Sequence, residues 1–124
     1  MQTRIVLAVA VGGALGALLR LGLGTAARAA LGDGFPYGTF AVNVLGCFLF
    51  GLCWSVADGS WPRAVSAGVF AGFFGAFTTF STFALESIDL FERGRPWACL
   101  ANVIGQNVLG GCAMVAGLWL GRSA

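Results

Sequence analysis

From Tyr37 to Ala57 the chain carries not one charged residue, and a run of that length matches the ~20 residues an α-helix needs to cross a hydrocarbon core at ~1.5 Å per residue. Three further apolar stretches accompany it, from about Ile5 to Ala30, from Ala64 through Phe77 and beyond, and from Trp97 to Leu120. Between them lie short turn-forming clusters: Gly32-Asp33-Gly34-Phe35-Pro36, Asp58-Gly59-Ser60-Trp61-Pro62-Arg63 and Glu92-Arg93-Gly94-Arg95-Pro96. With 124 residues, 58% of them hydrophobic and only 10% charged, the chain has neither the polar surface nor the length for a soluble domain as well. The expected architecture is an all-α membrane protein, one domain over residues 1–124, with four transmembrane helices at about 4–31, 37–57, 64–90 and 97–121. The N-terminal run resembles a signal peptide, with Ala8-Val9-Ala10 as its small-residue site. Its apolar character continues through Leu19 and is rich in glycine, so it is expected to stay in place as the first span.

Composition removes several function classes. Histidine is absent, and with it the commonest general base and metal ligand. Cys47, Cys53, Cys99 and Cys112 form no CxxC pair and lie in apolar stretches, as small buried hydrophobes do. A net charge of +2 supplies no basic patch for nucleic acid. No nucleophile–base pair is evident, so the chain is not expected to be an enzyme.

All seven basic residues are arginines. With four spans, Arg4, Arg63 and Arg122 fall on one side, Arg28, Arg93 and Arg95 on the other, and Arg20 lies near that second side. Orientation follows an excess of positive charge on one side, and here the sides balance. The chain is therefore expected to insert both ways and to pair as an antiparallel dual-topology homodimer about a two-fold axis in the membrane plane. Gly12/Gly16, Gly68/Gly72 and Gly117/Gly121 are each four apart, the spacing of closely packed membrane helices. Their number suggests a partner beyond the four helices themselves.

Polar residues inside the spans are few. Asn43 lies well below the headgroups in the second span, with Thr39 and Gly46 on its face. An interhelical hydrogen bond or a role in an ion path would each explain it. In Gly72-Phe73-Phe74-Gly75-Ala76-Phe77-Thr78-Thr79-Phe80-Ser81-Thr82-Phe83, four hydroxyls and two glycines sit at mid-membrane. Either the helix is interrupted there, freeing backbone groups toward a buried polar centre, or it continues with hydroxyls bonded back to the preceding turn. Phe80 and Phe83 share a helical face, and the positive edge of an aromatic ring attracts a small anion without trapping it. The fourth span carries Asn102, Gln106 and Asn107.

These motifs resemble the Fluc (CrcB) fluoride channels: Gly12-Gly13-Ala14-Leu15-Gly16-Ala17-Leu18-Leu19-Arg20, then Gly38-Thr39-Phe40-Ala41-Val42-Asn43-Val44-Leu45-Gly46, then Gly72-Phe73-Phe74-Gly75 leading to Thr78-Thr79-Phe80-Ser81-Thr82-Phe83 and Glu86. The resemblance covers nearly the whole chain. It implies a fluoride-selective channel that exports fluoride from the cytoplasm across a bacterial inner or plasma membrane, built as an antiparallel homodimer with an interrupted third helix. It also implies a structural sodium ion at the dimer centre, held by the carbonyls of Gly75 and Thr78. Asn43, Phe80, Phe83, Ser81, Thr82 and Thr39 would line the fluoride pathway. Arg20 and Glu86 would stand at a vestibule or a helix end. The family usually places hydroxyls on the pore face of the fourth helix, whereas this chain offers the amides of Asn102, Gln106 and Asn107 as its polar track; amide NH₂ groups also donate to fluoride.

Two other functions compete. A small multidrug-type antiparallel transporter needs a carboxylate inside the membrane, yet Asp33, Asp58, Glu86, Asp89 and Glu92 all fall at loops or helix ends. In a non-transporting membrane assembly subunit the same polar groups would serve only as interhelical glue.

Overall fold

The computed structural model describes residues 2–124; Met1, which opens the N-terminal run, lies outside them. Helix α1 (Gln2–Leu31) ends at Gly32, whose φ of +80° suits glycine and whose N–H closes on the Arg28 carbonyl at 2.8 Å. After Pro36, α2 (Tyr37–Ala57) runs back to Asp58, which turns left-handed at φ 40° before Gly59. The third span starts with α3 (Arg63–Ser66), widens into a π-helical stretch (Ala67–Phe74) and closes with α4 (Gly75–Phe77). Thr78 (φ −87°, ψ 158°) and Thr79 (φ −150°, ψ 117°) are extended. Helix α5 (Phe80–Glu92) follows, and α6 (Pro96–Ser123) begins on a proline, whose missing N–H costs nothing in the first turn. No strand occurs among the described residues. Four helices, Gln2–Leu31, Tyr37–Ala57, Arg63–Glu92 and Pro96–Ser123, are long and apolar enough to cross a membrane.

The spans pack in two pairs, α2 along α6 and α1 along the π-helical stretch and α4. Glycine sets both contacts. A methyl on Gly12 would strike the Gly68 carbonyl, one on Gly16 the Phe73 carbonyl, and one on Gly117 the Phe48 carbonyl. All three glycine pairs are thus used inside one chain. They do not themselves call for a second, because bare backbone on one helix meets bare backbone on its own neighbour. The core joins the pairs through Val42, Phe74 and Phe77, with Phe50, Phe70 and Phe73 packed around them. Outside it the surface is apolar: Leu18, Leu21 and Val6 on α1, and Val115 and Trp119 on α6, are all more than half exposed. At one end, the Arg95 guanidinium donates to the Gly34 carbonyl and joins the first and last turns.

Candidate functional site

The Thr78 N–H makes the last bond of the ladder, to the Phe74 carbonyl at 3.1 Å, and from the Thr78 carbonyl through Thr79 the backbone groups need other partners. Asn43 of α2 supplies them for Thr79: its Oδ1 accepts the Thr79 N–H at 2.8 Å, and its Nδ2 donates to the Thr79 carbonyl at 3.0 Å. This two-point contact fixes which way the amide faces. Gly46, one turn on, leaves room on α2 for the Thr78 methyl and the Phe77 ring. Thr79 also starts the next helix, its hydroxyl oxygen accepting from the Thr82 N–H at 3.3 Å.

From Asn43 a chain of hydrogen bonds crosses the bundle. Asn43 Nδ2 also donates to Gln106 Oε1 at 2.7 Å, Gln106 Nε2 to Asn102 Oδ1 at 2.9 Å, Asn102 Nδ2 to Ser87 Oγ at 2.9 Å, and Ser87 Oγ to the Phe83 carbonyl at 2.7 Å. Asn102 is 0% exposed and Gln106 7%. An amide nitrogen carries two hydrogens. Those of Asn43 are both engaged, whereas Gln106 Nε2 and Asn102 Nδ2 each use one. Two spare donors therefore lie buried on successive turns of α6, and a buried donor without an acceptor is uncommon unless something visits it.

A cavity of about 490 Å³ opens beside the break, lined among others by Arg20, Arg28, Thr39, Thr79, Thr82 and Glu86. Arg20 donates to the Ala76 carbonyl at 2.9 Å, a cation against the C-terminal end of α4, so it serves the helix end and the cavity together. Glu86 Oε1 accepts from the Thr39 hydroxyl at 2.8 Å, while its buried Oε2 has no partner among the described residues. Thr82 Oγ1 accepts from the Thr79 hydroxyl at 3.0 Å, and no described hydrogen bond uses Thr82's own hydrogen.

The rings of Phe80 and Phe83 stand 5.6 Å apart and tilted by 51°. Phe83 is buried, whereas Phe80 is 79% exposed on the single chain and Ser81 is exposed beside it. Asn107 points away from the hydrogen-bonded chain, exposed, with its amide returned to the Val103 carbonyl at 2.7 Å. The polar face of α6 is thus Asn102 and Gln106. Ser87 and Thr79 were not singled out from the sequence. Ser87 carried a signal, since it follows Phe80 and Phe83 at helical spacing; Thr79 carried one as a threonine directly before the first residue of that helical spacing.

Among the described residues no cluster of three His, Cys, Asp or Glu side chains is placed to hold a metal. A cation here would rest on backbone oxygen. The Thr79 N–H, which in an unbroken helix would close on the Gly75 carbonyl, goes to Asn43 instead, and the Thr78 carbonyl stands in extended chain. Gly75 is exposed, and a methyl on it would meet nothing nearer than the Phe70 carbonyl at 3.9 Å. Two free oxygens are too few for a hard cation, but a second copy related by a two-fold axis doubles them, so the residues fit a shared site.

The CrcB-like protein family, Camphor Resistance (CrcB), matches residues 7–118. The chain is 49% identical over 116 residues to the fluoride-specific ion channel FluC of Solidesulfovibrio magneticus, an alignment covering 92% of this chain and 93% of the relative. Identity to the protein of the same name from Salinibacter ruber is 46% over 115 residues, 86% of each chain. For that of Parabacteroides distasonis it is 41% over 114 residues, 91% of this chain and 89% of the relative.

Proposed function

The chain belongs to the CrcB-like family, and from that premise we propose that it is a fluoride channel. The observation that carries the reading is the run of donors from half-buried Thr79 and Asn43 to buried Gln106 and Asn102, beside a cavity lined by Arg20 and Arg28 together with Asp33, Glu86 and Asp89. Fluoride is small and a strong hydrogen-bond acceptor, so it leaves water only for a path that offers N–H and O–H groups in succession. Arg20 and Arg28 give an anion positive contacts in a cavity that acids also line, and the Thr82 hydroxyl meets it there. Past Thr79, Asn43 and Gln106 replace the hydration shell, with Asn102 bonded behind Gln106. The Phe80 and Phe83 ring edges add weak attraction without a fixed charge, which allows the ion to leave. The name of the relatives, fluoride-specific ion channel, supports the choice of fluoride among anions.

The working unit is an antiparallel homodimer in a bacterial inner or plasma membrane. Two features support it: arginines balanced between the two ends, and exposed Gly75 and Phe80 at the break, where a second chain would complete the surface. Sodium would be held by the carbonyls of Gly75 and Thr78 from both chains, and when bound supplies a fixed positive charge that joins the chains and favours an anion nearby. An inside-negative membrane potential drives fluoride outward through such a passive pore.

Purified protein in liposomes is expected to release fluoride on demand and to retain chloride. Liposomes that retain both would sink the channel reading and leave the amide run as interhelical glue. A tag on either terminus is expected to be reachable from both sides of intact cells; labelling from one side alone would remove the dual-topology arrangement.

A further inference from the structure

The hydrogen-bonded chain on α6 has a direction. Asn43 cannot turn over, because the N–H and C=O of Thr79 hold its two ends. Its donor therefore faces Gln106, which must answer with oxygen, and the polarity passes on through Asn102 to Ser87 and ends at the Phe83 carbonyl. At 2.7 Å, the Asn43–Gln106 contact admits nothing between them, and the atom facing Asn43 is an oxygen that repels an anion. An anion reaching Asn43 has to displace Gln106 Oε1.

We propose that fluoride passes by reversing this relay, with Ser87 as the positioning residue that sets the balance between its two directions. If the Gln106 amide turns over, Nε2 faces the anion opposite Asn43, and Oε1 then needs a donor. Asn102 turns and gives its Nδ2, and its Oδ1 takes the hydroxyl hydrogen of Ser87. The resting relay holds four bonds: Asn43 to Gln106, Gln106 to Asn102, Asn102 to Ser87 and Ser87 to Phe83. The reversed relay also holds four, two of them to the anion, and what it gives up is the bond from Ser87 to the Phe83 carbonyl. That carbonyl lies inside α5 and keeps its place in the helical ladder. Asn102 and Ser87 therefore act on the ion without touching it. Chloride, larger and a weaker acceptor, repays the exchange less well.

The inference rests on the fluoride reading above and is tested separately from it. The chain has only five side-chain amides, Gln2, Asn43, Asn102, Gln106 and Asn107, so ¹⁵N labelling of asparagine and glutamine resolves each one. On titrating the intact protein with sodium fluoride, the Asn43, Gln106 and Asn102 signals are expected to move together, while Gln2 and Asn107 stay put and sodium chloride moves none. Ser87→Ala takes two bonds from the resting relay and one from the reversed relay, so half-saturation is expected at about three- to tenfold less fluoride, the worth of one net hydrogen bond. An Asn102 signal that stays still while Asn43 and Gln106 respond overturns the relay, as does unchanged or weaker fluoride binding in Ser87→Ala. A parent protein that passes no fluoride overturns the channel reading itself, and the relay with it.

Discussion

The third and fourth spans bring polarity into the membrane by opposite means. The third breaks its backbone at Thr78 and Thr79 and presents main-chain N–H and C=O groups; the fourth stays helical from Pro96 to Ser123 and presents the amides of Asn102 and Gln106. Backbone groups cannot turn over, so one well-placed partner, Asn43, holds them. Side-chain amides can exchange donor for acceptor at the same place. A fixed element and a reversible one thus meet at Asn43, which bonds to both.

Asn43→Leu should therefore have the largest effect of any single change. It strips the half-buried N–H and C=O of Thr79 of their Asn43 partners, each loss costing up to ~1–3 kcal/mol, and removes the first donor, so fluoride efflux from liposomes is expected to fall ~100-fold or more. Efflux within ~2-fold of the parent would show that the break stands without the second span, and would end the pairing drawn here. Phe83→Ile and Phe80→Ile come next, with losses of ~10-fold and dimer assembly retained, because the change keeps apolar volume and removes the ring edge. A variant that conducts like the parent would assign its ring to packing.

Smaller effects separate backbone from side chain within the third span. Thr78→Val removes only the hydroxyl bond to the Phe74 carbonyl at 2.8 Å, worth ~0.6 kcal/mol in a membrane, and leaves the Thr78 carbonyl in place. Gly75→Ala adds a methyl on the surface where the second chain would lie, and should weaken dimer association more than Thr78→Val does in a dilution assay followed by size-exclusion chromatography. The reverse order would place the cation on side-chain oxygen. Smallest of all is Asn107→Ala: its amide returns to its own helix, and efflux is expected to stay within ~2-fold of the parent. A large loss would extend the fourth span's track to a second face.

Much of the architecture was legible because bilayer thickness and hydropathy are one-dimensional constraints. Helix ends expected at about 4–31, 37–57, 64–90 and 97–121 compare with Gln2–Leu31, Tyr37–Ala57, Arg63–Glu92 and Pro96–Ser123. Turn residues mark those limits by local chemistry, as Gly32 and Pro96 do. The candidate polar residues were legible too, since a membrane interior leaves so few of them. Which ones meet was not. Asn102, Gln106 and Asn107 differ by at most five positions, yet two are buried in one hydrogen-bonded chain and the third is turned outward. Helical rotation separates them, and only packing against α2 and α5 says which side faces in.

By itself the sequence determined that four stretches are long and apolar enough to cross a membrane, that its glycines permit close helix contacts, and that its arginines fall at both ends of those stretches. Those properties follow from composition along one helix at a time. Tertiary structure alone decided that the glycine pairs are spent within the chain, that Asn43 clamps Thr79, and that Ser87 closes a relay begun on another helix. Each of these joins residues 15 to 69 positions apart. A hydrogen bond at 2.7–3.0 Å depends on where two helices cross, and no local pattern of residues encodes that crossing.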